Sequence, residues 1–315
     1  MMKELFRQSF GYILVIAGAA CWGLTGLFVD QLYQAGFTPW QVVAARMSSS
    51  AFVLFLVLIL FEREHLRIDR RDLPYLILLG LCGMSLFNGF YFAVMDRASL
   101  AIAVVFVYTS PIFASLIAKF AFGEQLSLQK NMAIVLTIIG CAMAIGFIPL
   151  GGSEPIDLLT VFLGLMAGLF CASYSLIGKY VSGRYHPLTI TFYGFTAGSV
   201  ISVPTSAIWQ QTSTVLQIDV LLPMLALTFI ATIAAYLLFT LGLAYVESSR
   251  AAILSSTELV VSVLLSVFVL NEIVTFWQAV GFVLVITSIM LTVVSFRRRV
   301  ERKYPGKEYS YTNEG

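Results

Sequence analysis

Residues 98–124 read ASLAIAVVFVYTSPIFASLIAKFAFGE, and residues 246–272 read VESSRAAILSSTELVVSVLLSVFVLNE. Laid over each other at a shift of 148 residues, they pair Ala103 with Ala251, Thr109 with Thr257, Phe120 with Phe268 and Glu124 with Glu272. Each is an apolar run closed by a glutamate. The same shift puts Pro39 on Pro187 and brings the remaining apolar runs into register, five on each side of a gap around Gly151-Gly152. An odd number of helices per half turns the second half upside down in a membrane. Inverted repeats of this kind are a signature of secondary transporters, whose substrate site lies near the midplane between the halves.

The runs themselves cover about residues 11–29, 39–61, 74–95, 98–120, 130–149, 158–181, 188–209, 220–245, 250–270 and 277–296, each near the roughly 20 residues a bilayer core requires. Composition agrees with this reading. Of 315 residues, 59% are hydrophobic and 11% charged, against roughly 25% charged in soluble proteins, and the mean hydropathy is +0.90. Such a chain is not a soluble enzyme, a nucleic-acid binder or a disordered scaffold. A net charge of +2 offers no field for a polyanionic partner. The expected architecture is therefore an all-α polytopic membrane protein of ten transmembrane helices in two inverted five-helix repeats (5+5). Residues 10–149 form the first repeat, 158–296 the second, and 297–315 a basic cytoplasmic tail.

Basic residues in the short connections set the direction. Arg63, Arg67, Arg70, Arg71, Lys130 and Arg184 fall in one set of loops, Lys119, Lys179 and Arg250 at the adjoining helix ends, and Arg297–Arg299 in the tail. The opposite loops hold only Arg97. Both termini are thus expected in the cytoplasm, with the protein in the inner or plasma membrane. Lys3 and Arg7 ahead of an apolar stretch ending near Ala17-Gly18-Ala19 resemble a signal peptide. The likeness of Gly18–Trp22 to Gly168–Ala172, which share a glycine and a cysteine, argues that this helix is retained as part of a repeat.

Several short motifs sharpen the picture. Cys21-Trp22-Gly23 stands in the first run, Arg46 in the second, Ser110-Pro111 midway along the fourth, and Phe122-Gly123-Glu124 at its close. The second half has Glu258-Leu259-Val260 and Leu270-Asn271-Glu272. With the ten runs and the repeat, these features make residues 10–296 resemble the EamA-type branch of the drug/metabolite transporter superfamily. Members often have Glu-Pro-Val where this chain has Glu258-Leu259-Val260, so the proline that would explain a kink in the ninth helix is missing. The resemblance implies a central cavity enclosed by helices one, three, four, six, eight and nine. It also implies export of amino acids and metabolites as the commonest role, with quaternary-ammonium uptake and drug export as minority roles.

Charged groups deep in a bilayer are costly and usually functional, and only Arg46 and Glu258 lie well inside a run. Glu258 stands eight residues past Arg250, about 12 Å along a helix at 1.5 Å per residue. Its repeat partner is Ser110, beside Thr109 and Pro111. Pro111 cannot donate to the Val107 carbonyl, so Tyr108, Thr109 and Ser110 are expected to line an interruption that needs protein, water or substrate as a partner. Serine and threonine bonding back along their own helix is the plainer alternative. Trp22, Asn88, Tyr91, Tyr174 and Tyr236 fall at interior depths of other helices and complete the candidate substrate site, with simple aromatic packing as the competing explanation. For Arg46 a structural role is the first expectation, by snorkelling outward, bonding helix-end carbonyls or pairing with Asp30, and contact with a substrate carboxylate the second. Glu124 and Glu272 read as helix-end anchors.

Four cysteines inside apolar runs and two histidines in connections show neither metal-ligand spacing nor a disulfide framework, and no metal or cofactor is expected. Gly164-x-x-x-Gly168 and Gly194-x-x-x-Gly198 permit close helix contact, within the chain first and in a homodimer as the alternative. The expected partners are a small-molecule substrate and membrane lipid, not nucleic acid. Without a P-loop the chain does not draw on ATP directly. It is not expected to be an enzyme, because its membrane runs hold no histidine and one deep carboxylate. The first expectation is a secondary transporter that exports an amino acid or related solute by alternating access, with proton coupling through Glu258 or facilitated efflux as modes. An organic-cation or drug transporter built on Glu258 and an aromatic cage is the alternative, and a channel or membrane-embedded enzyme a remote one.

Overall fold

A computed structural model describes residues 2–98, 100–144, 147, 157–215, 217–268 and 275–303. Side chains are described for all of these except 2–8, 96, 100, 101, 212, 213, 266, 267 and 294–303. Among the described residues every regular element is helical. The first half comprises α1 (Met2–Gly23), α2 (Thr25–Gln34), α3 (Pro39–Phe61), α4 (Leu73–Gly80), α5 (Phe87–Arg97), α6 (Leu100–Val107), α7 (Ser110–Phe122) and α8 (Leu128–Ala144). The second comprises α9 (Leu158–Ser182), α10 (Pro187–Ser206), the single turn α11 (Thr212–Val215), α12 (Ile218–Thr228), α13 (Ala235–Leu243), α14 (Ser248–Leu254), α15 (Thr257–Phe268) and α16 (Phe276–Lys303). Eight helical stretches are long and apolar enough to cross a membrane. The other two expected runs form the shorter apolar helix α8 and the Ser/Thr-rich helix α10. Glu272 and most of the tail lie outside the described residues, as does the Gly151-Gly152 gap.

The 148-residue period reappears in the backbone. α3 and α10 both start at a proline, Pro39 and Pro187. α8 starts at Leu128 and α16 at Phe276. A single π-helical turn joins α4 to α5 over Leu81–Leu86, and another joins α12 to α13 over Phe229–Ala234, at the same offset. In the latter, the Thr232 hydroxyl donates to the Leu227 carbonyl five residues back at 2.8 Å. Repeat-related helices lie side by side and run antiparallel. Along α3 and α10, Trp40 Nε1 donates to Thr205 Oγ1 at 2.8 Å, and farther on Phe55 stacks on Phe192 at 6.1 Å. Between α8 and α16, Thr137 and Ser288 share a 2.6 Å hydrogen bond, while Gly140 meets Gly281 backbone to backbone. An antiparallel crossing of related helices is the geometry of an inverted repeat.

Three helices break at midspan, each for a different reason. Between α1 and α2 the chain turns at Leu24, and the freed carbonyl of Gly23 accepts from Ser262 Oγ of α15 at 3.1 Å. Between α6 and α7 the turn at Tyr108-Thr109 precedes Pro111, whose missing N–H cannot continue the ladder. Between α14 and α15 the turn at Ser255-Ser256 has no proline. Both serines donate to carbonyls three residues back, Ala252 at 2.8 Å and Ile253 at 2.7 Å, which competes with the helical ladder and bends it.

The spaced glycines serve contacts inside the chain. Gly164 and Gly168 face Phe106 and Thr109, whereas Gly194 and Gly198 receive Leu79, Met84 and Met47. Tightest is Gly80, where an added Cβ would sit 2.1 Å from the carbonyl oxygen of Gly194. Backbone on both sides leaves nothing to swing aside. Gly80→Ala is therefore expected to lower stability by about 1–3 kcal/mol, the range for overpacking. Gly26→Ala, where a Cβ meets nothing within 4 Å, is expected to be harmless. Thermal unfolding of both variants in detergent checks the contrast.

Candidate functional site

The helix breaks and the first π turn converge on one cavity of about 260 Å³ between the two halves. The first break supplies Trp22 and Thr25 on its two sides, and Gly23 presses α1 onto α15, since a Cβ there would lie 2.7 Å from the carbonyl of Glu258. That contact brings the backbone beside Trp22 against the backbone of Glu258, and both residues line the cavity. The first π turn and α5 supply Gly83, Phe87, Asn88 and Tyr91, and Gly83 lets the backbone of Tyr174 approach closely. The second break supplies Tyr108 and Ser110 from beyond Val104 and Val107 of α6, and the third supplies Ser255 and Glu258. Cys171, Tyr174 and Ser175 of α9, Tyr236 and Phe239 of α13, and Arg46 of α3 close the lining.

Eight of the nine residues singled out from the sequence therefore border a single space: Trp22, Asn88, Tyr91, Tyr108, Ser110, Tyr174, Tyr236 and Glu258. The ninth, Thr109, turns away. Its hydroxyl donates to the Phe106 carbonyl at 2.6 Å and packs toward Gly168. The lining also includes residues that sequence patterning passes over, among them Thr25, Cys171, Ser175, Phe239 and Ser255. Arg46 joins them rather than pairing with Asp30, which instead accepts from Gln34 Nε2 at 2.8 Å.

One wall is aromatic. Trp22 meets Tyr236 edge-on at 5.0 Å and Phe239 at 4.9 Å, and Tyr236 meets Tyr174 edge-on at 5.1 Å. The Tyr174 hydroxyl shares a 2.6 Å hydrogen bond with Thr240, which fixes its ring. Across this surface stand one carboxylate and one guanidinium, Glu258 and Arg46, and among the described residues no ion pair joins them. Trp22 Nε1 and Arg46 Nε are buried donors without a hydrogen-bond partner. Unmet buried donors are costly, so the wall holds unused capacity for an acceptor. Among the described residues no cluster of three His, Cys, Asp or Glu is placed to hold a metal ion, and all four cysteines are free thiols.

Glu124 sits elsewhere, at one end of the bundle. It accepts from the backbone N of Ser248 at 3.0 Å, from Ser248 Oγ at 2.9 Å, and from Ser249 Oγ. It anchors a helix end belonging to the other half of the chain.

Apolar helices long enough to cross a membrane, gathered around one cavity, define a multi-pass membrane protein. The chain belongs to the EamA-like transporter family, whose model matches residues 9–146 and again residues 158–294. The uncharacterized transporter YwfM of Bacillus subtilis is 26% identical over 289 residues, 91% of this chain and 95% of its own length. An uncharacterized transporter of Synechocystis is 31% identical over 196 residues, 60% of this chain and 57% of that protein. The pseudopaline exporter CntI of Pseudomonas aeruginosa is 24% identical over 155 residues, 49% of this chain and 53% of its own. A solved crystal structure superposes with a TM-score of 0.77 at 18% identity, covering 93% of this chain and 99% of its own. Its likeness is one of fold.

The Tyr174–Thr240 bond offers a direct check on the aromatic wall. Tyr174→Phe keeps the ring packing and removes the hydroxyl, with an expected loss of about 0.5–1.5 kcal/mol. Thr240→Val is expected to cost a similar amount. The double variant should cost less than the two losses added, as for partners in one bond, read as thermal unfolding in detergent.

Proposed function

We propose that this protein is a secondary transporter that exports an amino-acid-like metabolite by alternating access. In this reading ten helices cross the membrane as two inverted sets of five, with both termini in the cytoplasm. The observation that carries the proposal is the placement of Glu258 and Arg46 on one cavity without pairing. A solute bearing both an ammonium and a carboxylate satisfies the two at once. A solute with one charge leaves the other exposed to a dry aromatic wall, where an unpaired charge is costly. The volume favours a small solute, since ligand pockets for drug-sized molecules run from roughly 300 to 1,000 Å³.

The aromatic surface then holds the solute's apolar side, and the unpaired N–H groups of Trp22 and Arg46 provide donors for its carboxylate as the helices shift. Glu258 is the group we assign to proton coupling, because it is the carboxylate on the cavity. A second reading takes the same carboxylate with Trp22, Tyr236 and Phe239 as a cage for an organic cation, by cation–π attraction. The two readings divide on Arg46, which serves the zwitterion and repels the cation.

Purified protein screened by thermal shift against amino acids, polyamines, quaternary amines and carboxylates separates them. Zwitterionic amino acids are expected to raise Tm. Glu258→Gln and Arg46→Gln are each expected to weaken that binding at least about tenfold, from loss of a charge-assisted bond of roughly 1.5–3 kcal/mol. Hits confined to quaternary amines, unchanged or strengthened by Arg46→Gln, select the organic-cation reading. In proteoliposomes, Glu258→Gln is expected to abolish pH-driven uphill flux, and persistence of that flux removes Glu258 as proton carrier.

A further inference from the structure

Among the described residues, the two ends of the bundle carry different chemistry at most repeat-related positions. At one end Glu124 and Lys130 of the first half meet residues 247–249 of the second. Lys130 Nζ lies 3.2 Å from Glu124, 3.2 Å from Glu247 and 2.7 Å from Ser249 Oγ, with the Lys130 and Glu124 side chains only 4% and 7% exposed. Arg250 extends the cluster to Glu247 at 2.8 Å and to the Tyr12 hydroxyl of α1 at 2.8 Å. Nearby, Asp72 of the first half accepts from Tyr185 of the second at 2.7 Å and pairs with Arg184 at 2.8 Å.

The 148-residue shift carries these positions to the other end, where Glu124 falls on Glu272, outside the described residues, and the others differ. Ser248, Ser249 and Arg250 fall on Leu100, Ala101 and Ile102, and Lys130 falls on Gln278. Gln278 accepts from Thr275 within its own segment. Asp72 and Tyr185 fall on Val220 and Phe37, which share an apolar cluster with Leu32, Val42 and Met224. A polar link at that end between the first half and the start of the second, Arg97 with Asp157 at 2.9 Å, is about half exposed. Thr160 and Arg97 hold the Asp157 carboxyl below its usual range, but an exposed pair of this kind contributes little.

We propose that the buried Glu124–Lys130–Ser248–Ser249 cluster is the gate of its face, a polar bolt between the halves that must part before the cavity opens there. At the opposite face, among the described residues, the counterparts Phe37 and Val220 are packed in an apolar cluster, and the polar contacts between the halves, Trp40 with Thr205 and Gln211 with the Gly36 carbonyl, are exposed. The inference rests on the alternating access proposed above. A buried ion pair adds little net stability over well-packed apolar residues, yet removing one partner is strongly destabilising. At a membrane face, water can hydrate both charges once the halves separate, so the bolt opens without stranding them. Apolar contacts at the same place would gain nothing from water. The polar bolt therefore makes closure all-or-none at this face and fixes how the halves register.

The full chain in oriented vesicles tests this, with Cys171 on the cavity wall as reporter and Cys21, Cys82 and Cys141 changed to Ala. A charged, membrane-impermeant methanethiosulfonate is applied from either side. The parent is expected to label from the side opposite the cluster. Lys130→Gln and Glu124→Gln are each expected to raise labelling from the cluster's side about tenfold, about 1.4 kcal/mol, and to lower it from the other. Ser249→Ala, a smaller change, is expected to move labelling the same way and stands in if either charge variant fails to accumulate. Unchanged sidedness in the variants, or an equal rise from both sides, overturns the gate. Equal labelling of the parent from both sides overturns alternating access itself, so the two failures are distinct.

Discussion

A backbone carbonyl released from a helix inside a bilayer must find another partner, because the hydrocarbon offers none. The site depends on this constraint. Among the described residues the regular elements are all helical, and the chain departs from the α-helix near midspan at Leu24, Tyr108-Thr109, Ser255-Ser256 and the two π turns. Each departure contributes residues to the central cavity or stands next to ones that do. Irregular backbone is tolerated there because neighbouring side chains take up its polar groups, as Ser262 does for Gly23 and Thr232 for Leu227. The same irregularity lets Trp22, Tyr108 and Glu258 leave the regular helical stripe and converge.

Much of this was legible in the sequence, for physical reasons that also explain the rest. The repeat showed because proline starts and glutamate ends are punctuation that survives divergence, and the structure begins α3 and α10 at Pro39 and Pro187. Pro111 announced the break before α7. The break before α15 carried no such mark, since Ser255 and Ser256 bend the helix through side-chain bonds that composition does not distinguish from ordinary back-bonding. Tyrosines and a deep glutamate attract notice, but Val104, Ser175 and Phe239 look the same on a cavity wall as on a packed interface. Thr109 illustrates the converse: a polar residue beside a kink can spend its hydroxyl on the turn behind it.

Charge placement was legible only in part. Lys130 reads as a loop cation that reports topology, yet it is nearly as buried as the aromatic core. Sequence alone cannot tell an orienting charge from a structural one at a helix end, because both occur at the same depth. The distinction lies in what the other half brings. Ser248, Ser249 and Glu247 sit more than a hundred residues away in the chain and arrive only through the fold. Likewise Arg46 is drawn away from Asp30 by where α3 packs.

The close seating of Gly23 on the backbone of Glu258 has a consequence for the cavity wall. The end of α1 and the start of α15 meet there without room for a side chain on Gly23, against the Glu258 carbonyl and the Val261 side chain. Trp22 and Glu258, which both line the cavity, are therefore carried on backbone segments in direct contact. On that side of the cavity the spacing between the two lining residues is thus set by backbone contact and not by side-chain packing.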